Sequence, residues 1–246
     1  PDTMEDSFFE RGYQATASSN LSQQYQKRDG TPTYIVDQAI QMGTLPGNVF
    51  NYMMDEDSSN IPMLGHRRWI LNPSLQKIGF GFAKGNHVNK YYEQTFSLMQ
   101  VFDKSRVETV EYDYIAWPSR GYFPREFFPA DTPWSISLNP TKFQKPNLAD
   151  VKVELVRLKD GVTWTLNEDD NELIAEGQTV AGEYFNVNNQ GFGISNSIIF
   201  KPDTERIGAY FGNYQVTIHG LKDIAGNETT ISYMVNFFDG KFGSVE

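Results

Sequence analysis

Val151-Lys152-Val153-Glu154-Leu155-Val156-Arg157, then the turn residues Lys159-Asp160-Gly161, then Thr163-Trp164-Thr165-Leu166, decide the architecture of the C-terminal half. Apolar and polar residues alternate in both runs. Each run therefore puts one row of side chains on a core and the other toward solvent, as a half-buried strand does. The signature recurs at Trp134–Leu138, Ser197–Phe200, Gly212–His219 and Thr230–Phe238, and Asp223-Ile224-Ala225-Gly226-Asn227 reads as a hairpin turn. Short strands separated by turn signals predict an antiparallel all-β sandwich over residues 134–246.

Working back toward the N-terminus, Trp117-Pro118-Ser119-Arg120-Gly121-Tyr122-Phe123-Pro124 is punctuated by proline and glycine, and Pro129 and Pro133 follow. Residues 117–133 thus read as a Pro-rich connector, and residues 1–116 as a separate domain of mixed helix and strand. Helical spacing is present in Met4–Tyr13 and near Thr33–Met42. A third helix starts at Pro46, with Val49, Phe50, Met53 and Met54 on one side. Lys77–Ala83 and Tyr91–Val101 read as strands joined by Lys84-Gly85-Asn86.

The chain has 246 residues, room for one large domain or two ordinary ones. Its 18 Phe, 13 Tyr and 4 Trp argue for a packed core rather than a disordered chain. A formal charge of −10 excludes nucleic-acid binding as the main role, because that binding needs a basic face to displace counterions. No stretch has the roughly 18–20 apolar residues of a helical membrane span, so the expectation is a protein that does not span a membrane. With no cysteine, disulfide frameworks, zinc thiolates and thiol catalysis are excluded.

The candidate chemistry centres on three histidines. His87 sits in a Gly85-Asn86-His87 turn and His219 closes a strand beside Gly220; neither has a partner set in sequence. His66 follows a helix and the polar run Asp55-Glu56-Asp57-Ser58-Ser59-Asn60, and precedes Arg67 and Arg68. Such a histidine serves as metal ligand, general base or structural hydrogen-bonding residue. The acidic run is no EF-hand loop, because Asn60 and His66 stand where that loop needs its glycine and its acid. No nucleophile elbow, zinc-protease helix or phosphate loop is present.

At Gly65-His66-Arg67-Arg68-Trp69-Ile70-Leu71-Asn72-Pro73, followed by Ile78-Gly79-Phe80-Gly81, the sequence resembles bacterial members of the CAP superfamily, the cysteine-rich secretory, antigen 5 and pathogenesis-related proteins. The resemblance covers roughly residues 1–116. It implies an α-β-α sandwich with a cleft lined by two histidines and two acids. His66 matches the second histidine. Asp55, in Tyr52-Met53-Met54-Asp55, takes one acidic place, and Ser19, in Ser18-Ser19-Asn20-Leu21, stands where the other acid is usual. The first histidine and first helix would lie before Pro1, so the expectation is a CAP-like domain with its N-terminal part missing, followed by an Ig-like β-sandwich.

These readings give an α+β chain that is secreted or displayed at the cell surface, with no export signal in its present length. They point to a binding or interaction module with a degenerate cleft, and to a protein that is more a binder than an enzyme. Its partner would be a surface, a lipid, a protein, or its own missing N-terminal segment. One alternative is a metal-assisted hydrolase with His66 and Asp55 holding a divalent ion, zinc or calcium. Another is a lipid or small apolar-ligand binder using Phe80, Phe82, Tyr91 and Tyr92.

Overall fold

The computed structural model describes residues 19–31, 34–35, 40–86, 91–172, 174–175, 178, 180 and 182–240. Among the described residues strand dominates, at 42% against 13% helix. Contacts divide the chain into two compact units. The first comprises residues 1–54 and 69–110, and the second residues 55–68 and 111–246.

In the first unit, β1 (Ser19–Lys27), β4 (Gly79–Asn86) and β5 (Tyr92–Gln100) form a three-stranded antiparallel sheet in the order β1-β5-β4. Register runs Ser19↔Gln100 to Lys27↔Tyr92 on one side of β5 and Gly79↔Gln100 to Asn86↔Glu93 on the other. Helix α1 (Leu45–Met54) packs on β1 and β5. The Thr44 hydroxyl accepts from the Gly47 amide at 3.2 Å and so satisfies one of the donors left open at a helix start. Tyr52 of α1 packs with Met99 and Val101, and Trp69 and Ile70 close over them.

Two elements differ from expectation. Residues near 33–42, expected as helix, contain β2 (Tyr34–Ile35) and β3 (Ile40–Gln41), which pair antiparallel. The β-branched and aromatic residues there favour an extended backbone over the helical spacing they also show. Lys84-Gly85-Asn86, expected as a turn, lies within β4. The expected Met4–Tyr13 helix lies outside the described residues.

The second unit holds two sheets. A five-stranded sheet orders β10 (Val162–Leu166), β9 (Lys152–Arg157), β13 (Gly212–Lys222), β14 (Glu228–Phe238) and β7 (Gly121–Pro124). A four-stranded sheet orders β11 (Tyr184–Asn188), β12 (Ser197–Lys201), β8 (Trp134–Leu138) and β6 (Tyr114–Trp117). Their side chains share one core, in which Trp134 lies within 6.4 Å, ring to ring, of Phe128, Phe200, Tyr210, Tyr214 and Phe237. Aromatic pairs at this spacing add about 0.5–1.5 kcal/mol each beyond the area they bury. A short helix, α3 (Thr204–Ile207), is capped by Asp203, whose side chain accepts from the Glu205 amide.

The hairpin at Asp223–Asn227 is as expected, with Asp223 accepting from the Asn227 amide at 2.8 Å. Gly220 interrupts the register of β13 at φ 76°, where a Cβ would sit 1.8 Å from the Asp150 carbonyl oxygen; only glycine fits. The boundaries differ from those read in sequence. Residues 117–133, expected as a connector, carry β7, which pairs parallel with β14, and they place Phe123 and Phe128 in the core. Residues 111–116 begin the four-stranded sheet rather than ending a first domain. Proline and glycine in this stretch mark an edge strand and its turns, which local composition cannot distinguish from a linker.

Candidate functional site

The segment 55–68 joins the β-rich unit through the residues of the Gly65-His66-Arg67-Arg68 stretch. Asp55 follows α1 with φ 49°, and Leu64, with φ 48°, precedes helix α2 (Gly65–Ile70). Left-handed backbone at non-glycine residues is uncommon and persists where surrounding contacts hold it. Here those contacts include Ile61 and Leu64, both buried, which pack with Tyr184 and Ile199.

Each motif residue has a defined place. Gly65 lies so close to the Phe192 ring that a Cβ would come within 3.2 Å of it. His66 Nδ1 donates to Asp55 Oδ1 at 2.7 Å, and Asp55 Oδ2 accepts from the Arg67 amide at 3.1 Å. Arg67 is fully buried; its guanidinium donates to the Pro133 carbonyl at 2.7 Å and the Ser135 hydroxyl at 3.2 Å. Arg68 donates to the carbonyls of Ile194 and Met63, to the Asn188 side-chain oxygen and to the Gln190 carbonyl. Its guanidinium also lies 5.0 Å from the centre of the Phe192 ring. The amides of Asn186 and Asn188 both donate to the Pro62 carbonyl.

Electrostatics follow from this burial. Desolvation lowers both Arg67 and Arg68 to about 10. The hydrogen bond to Asp55 raises His66 above its ordinary value against the opposing pull of burial. Burial and the nearby Asp131 carboxylate raise Glu56 to about 6, against the cations Arg67 and Lys201, and its Oε2 is buried without a hydrogen-bond partner.

The structure brings His66 and Asp55 together as members of a hydrogen-bonded brace. Ser19, the third cleft candidate, begins β1 in the first unit, opposite Gln100. Among the described residues no three His, Asp or Glu side chains converge to hold a metal. Asp57 of the acidic run turns back on its own loop, accepting from Ser59 and Asn60. His219 lies 3.6 Å from Glu154 on a half-exposed sheet face, and His87 lies outside the described residues.

A second feature lies in the first unit. The face of its sheet that α1 covers is mixed: Asn20, Gln24, Thr95 and Ser97 are buried there beside Met99, and Phe80 and Phe82 of β4 belong to the same face. Gln24 bridges the Gly43 amide at 2.6 Å and the Gly47 carbonyl at 3.3 Å, and the Tyr52 hydroxyl meets the Ser97 hydroxyl at 2.6 Å. The opposite face carries Leu21, 51% exposed, Tyr25, Phe96, 43% exposed, and Leu98. On β4 the same face carries Gly79, Gly81, Ala83 and Gly85, so large side chains on β1 and β5 border a row of small ones. The result is an open trough of about 620 Å³ lined chiefly by Leu21, Gly81, Phe82, Ala83, Phe96 and Leu98.

Of the four aromatics expected at an apolar site, Phe82 borders this trough, although it and Phe80 sit opposite Ser97 and Met99 on the sheet's other face; Tyr92 begins β5, and Tyr91 precedes it. Leu21 went unread because β1 is rich in serine and glutamine and gives little strand signal; Phe96 and Leu98 lie in the stretch read as a strand, but alternation alone does not show which of its faces stays open. No family model, curated protein or solved structure matches the chain. No helix among the described residues is long and apolar enough to cross a membrane.

Proposed function

We propose that this chain is a binding protein, secreted or displayed at the cell surface, that holds an apolar ligand or partner surface against the open face of β1-β5-β4. The observation that carries this reading is the exposed apolar trough on that face, where Leu21, Phe96 and Leu98 border the small residues of β4. Under α1 the sheet buries amides and hydroxyls beside Met99, and on the other side Leu21 and Phe96 stay half-exposed. Burying polar side chains requires hydrogen-bonded partners, as Gln24 and Ser97 have, and leaving large apolar groups in water gives up about 1.5–3 kcal/mol per side chain. A contiguous apolar surface is the feature that distinguishes binding faces from ordinary surface.

The CAP-like reading of Gly65–Pro73 fits a non-enzymatic role, since Gly65, His66, Arg67 and Arg68 of that stretch are engaged in bracing the β-rich unit. The Ig-like reading of the second unit is supported by its two sheets around one aromatic core. The contact between His66 and Asp55 favours a second reading, a metal-assisted hydrolase in which Asp55 orients the imidazole and zinc or calcium is the metal.

Mass spectrometry of the protein purified under native conditions from its own host tests the first reading, which expects a co-purifying apolar molecule or partner. Calorimetric titration with zinc and with calcium tests the second. Stoichiometric metal binding abolished by Asp55→Asn would replace the first reading with the second.

A further inference from the structure

We infer that the β-rich unit carries a separate site for a neutral saccharide, in the cleft along the outer edge of β6. The inference rests on the reading of this chain as a binding protein and adds a second ligand class to it. β6 is the terminal strand of the four-stranded sheet, and a cleft of about 510 Å³ runs beside it and the residues that lead into it. That volume lies in the range of small-molecule sites, roughly 300–1,000 Å³.

The wall of the cleft is held in place before any ligand arrives. Buried Asn139 donates its side-chain amide to the Tyr112 carbonyl at 2.7 Å and its backbone amide to the Asp113 carbonyl at 2.9 Å. Tyr114 packs its ring against buried Tyr233 at 5.7 Å. A prearranged wall lowers the ordering cost of binding.

The chemistry of the lining selects the class of ligand. Tyr112 and Tyr114 are half-buried and line the cleft; Tyr114 has its ring on Tyr233 and its hydroxyl toward Arg120, so Tyr112 is the side chain that brings both an aromatic ring and a hydroxyl to a molecule with C–H faces and polar edges. The charges cancel within the cleft: Lys142 lies 2.8 Å from Asp113 and 3.6 Å from Glu111, and Arg120 faces the Tyr114 hydroxyl. An anionic ligand would have to draw Lys142 away from two carboxylates, and a cationic one would meet Lys142 and Arg120. An apolar ligand would strip water from four charged groups, which is costly. A neutral polyhydroxylated molecule avoids all three costs, because each hydroxyl both donates and accepts and can bridge an acid and a base already in place.

The test is a titration of the whole chain with a panel of neutral di- and trisaccharides, followed by amide chemical shifts and calorimetry. We expect at least one to bind with shifts centred on residues 111–120, at the millimolar-or-better affinity typical of an open cleft. Tyr112→Ala, at a side chain outside the core, should weaken that binding about tenfold or more while leaving the unfolding midpoint unchanged. No shift in that stretch with any member at roughly ten-millimolar concentration would overturn the inference. So would binding that survives Tyr112→Ala, or a glucuronate-containing analogue that binds more tightly than its neutral counterpart. An apolar dye bound at the β1-β5-β4 trough should be unaffected by Tyr112→Ala, so failure of the saccharide site leaves the apolar-face reading separately measurable.

Discussion

Arg68→Ala removes the anchor on which the placement of segment 55–68 depends most. The guanidinium makes five hydrogen bonds to four acceptors: the carbonyls of Ile194, Met63 and Gln190 and the side chain of Asn188. A buried acceptor left without its donor costs about 1–3 kcal/mol, so four acceptors set a gross loss of roughly 4–8 kcal/mol if water reaches the outer ones. Against this, truncation relieves the cost of burying a charge. The fall of Arg68 from 12.5 to about 10 corresponds to about 3 kcal/mol of that cost. The net expectation is a loss of about 3 kcal/mol, with lost packing on Phe192 included in the uncertainty of the gross figure. Urea unfolding followed by near-ultraviolet circular dichroism reports it, since Trp134 and Trp164 lie in the same unit's core. Arg68→Lys should restore less than half, because an ammonium cannot span the acceptors that a planar fork reaches. A loss below about 1 kcal/mol for Arg68→Ala would refute the reasoning, since it would mean the four acceptors are satisfied equally well without the side chain.

Further expectations concern single groups. In Asp55→Asn the His66 imidazole, titrated by proton NMR, should fall from above its ordinary value to below it, because burial then acts without the carboxylate. His66 is raised in the folded state, so its pairing stabilises fully below the unfolded value of 6.5 and is lost as pH rises through the folded value. The stability gap between wild type and Asp55→Asn should therefore be wider at pH 6 than at pH 8.5. Glu56, raised from 4.5 to about 6, contributes most below 4.5 and loses that contribution as pH rises through 6. Glu56→Gln should accordingly stabilise the protein at pH 7.5, by up to about 2 kcal/mol, and leave it unchanged near pH 4; equal unfolding midpoints at both pH values would count against this. Gly220→Ala should destabilise by more than about 2 kcal/mol in the same urea assay, from a left-handed backbone and a direct clash with Asp150.

The sequence was most legible where period-two alternation met an internal core. Trp134–Leu138 coincides with β8, and the runs around Val151, Thr163, Ser197, Gly212 and Thr230 fall on β9, β10, β12, β13 and β14. It was least legible at edges. β6 and β7 are four residues each, β7 begins with glycine and ends with proline, and β1 is mostly polar, so none presents the alternation that marks a strand.

The site divides in the same way. Asp55 and His66 are 11 positions apart and separated by one loop, so their pairing followed from local order. The partners of Arg67 and Arg68 in the β-rich unit lie 66 to 126 positions downstream, and only tertiary structure brings them there. The open face of the β1-β5-β4 sheet was beyond local reading for a different reason. Which of its two faces is buried depends on where α1 docks, and both faces carry some apolar residues.

The central claim, that the open face of β1-β5-β4 binds apolar ligands, is tested most directly by filling its trough. Gly81 has ordinary φ and a Cβ there would meet Leu98 at 3.6 Å, an unstrained contact, so Gly81→Leu should fold normally and occupy the trough. Fluorescence titration with 1-anilinonaphthalene-8-sulfonate and with a medium-chain fatty acid should show saturable binding to the wild type. The account predicts that Gly81→Leu loses it while keeping the wild-type unfolding midpoint. Equal binding by the two proteins, or no saturable binding by either, would contradict it.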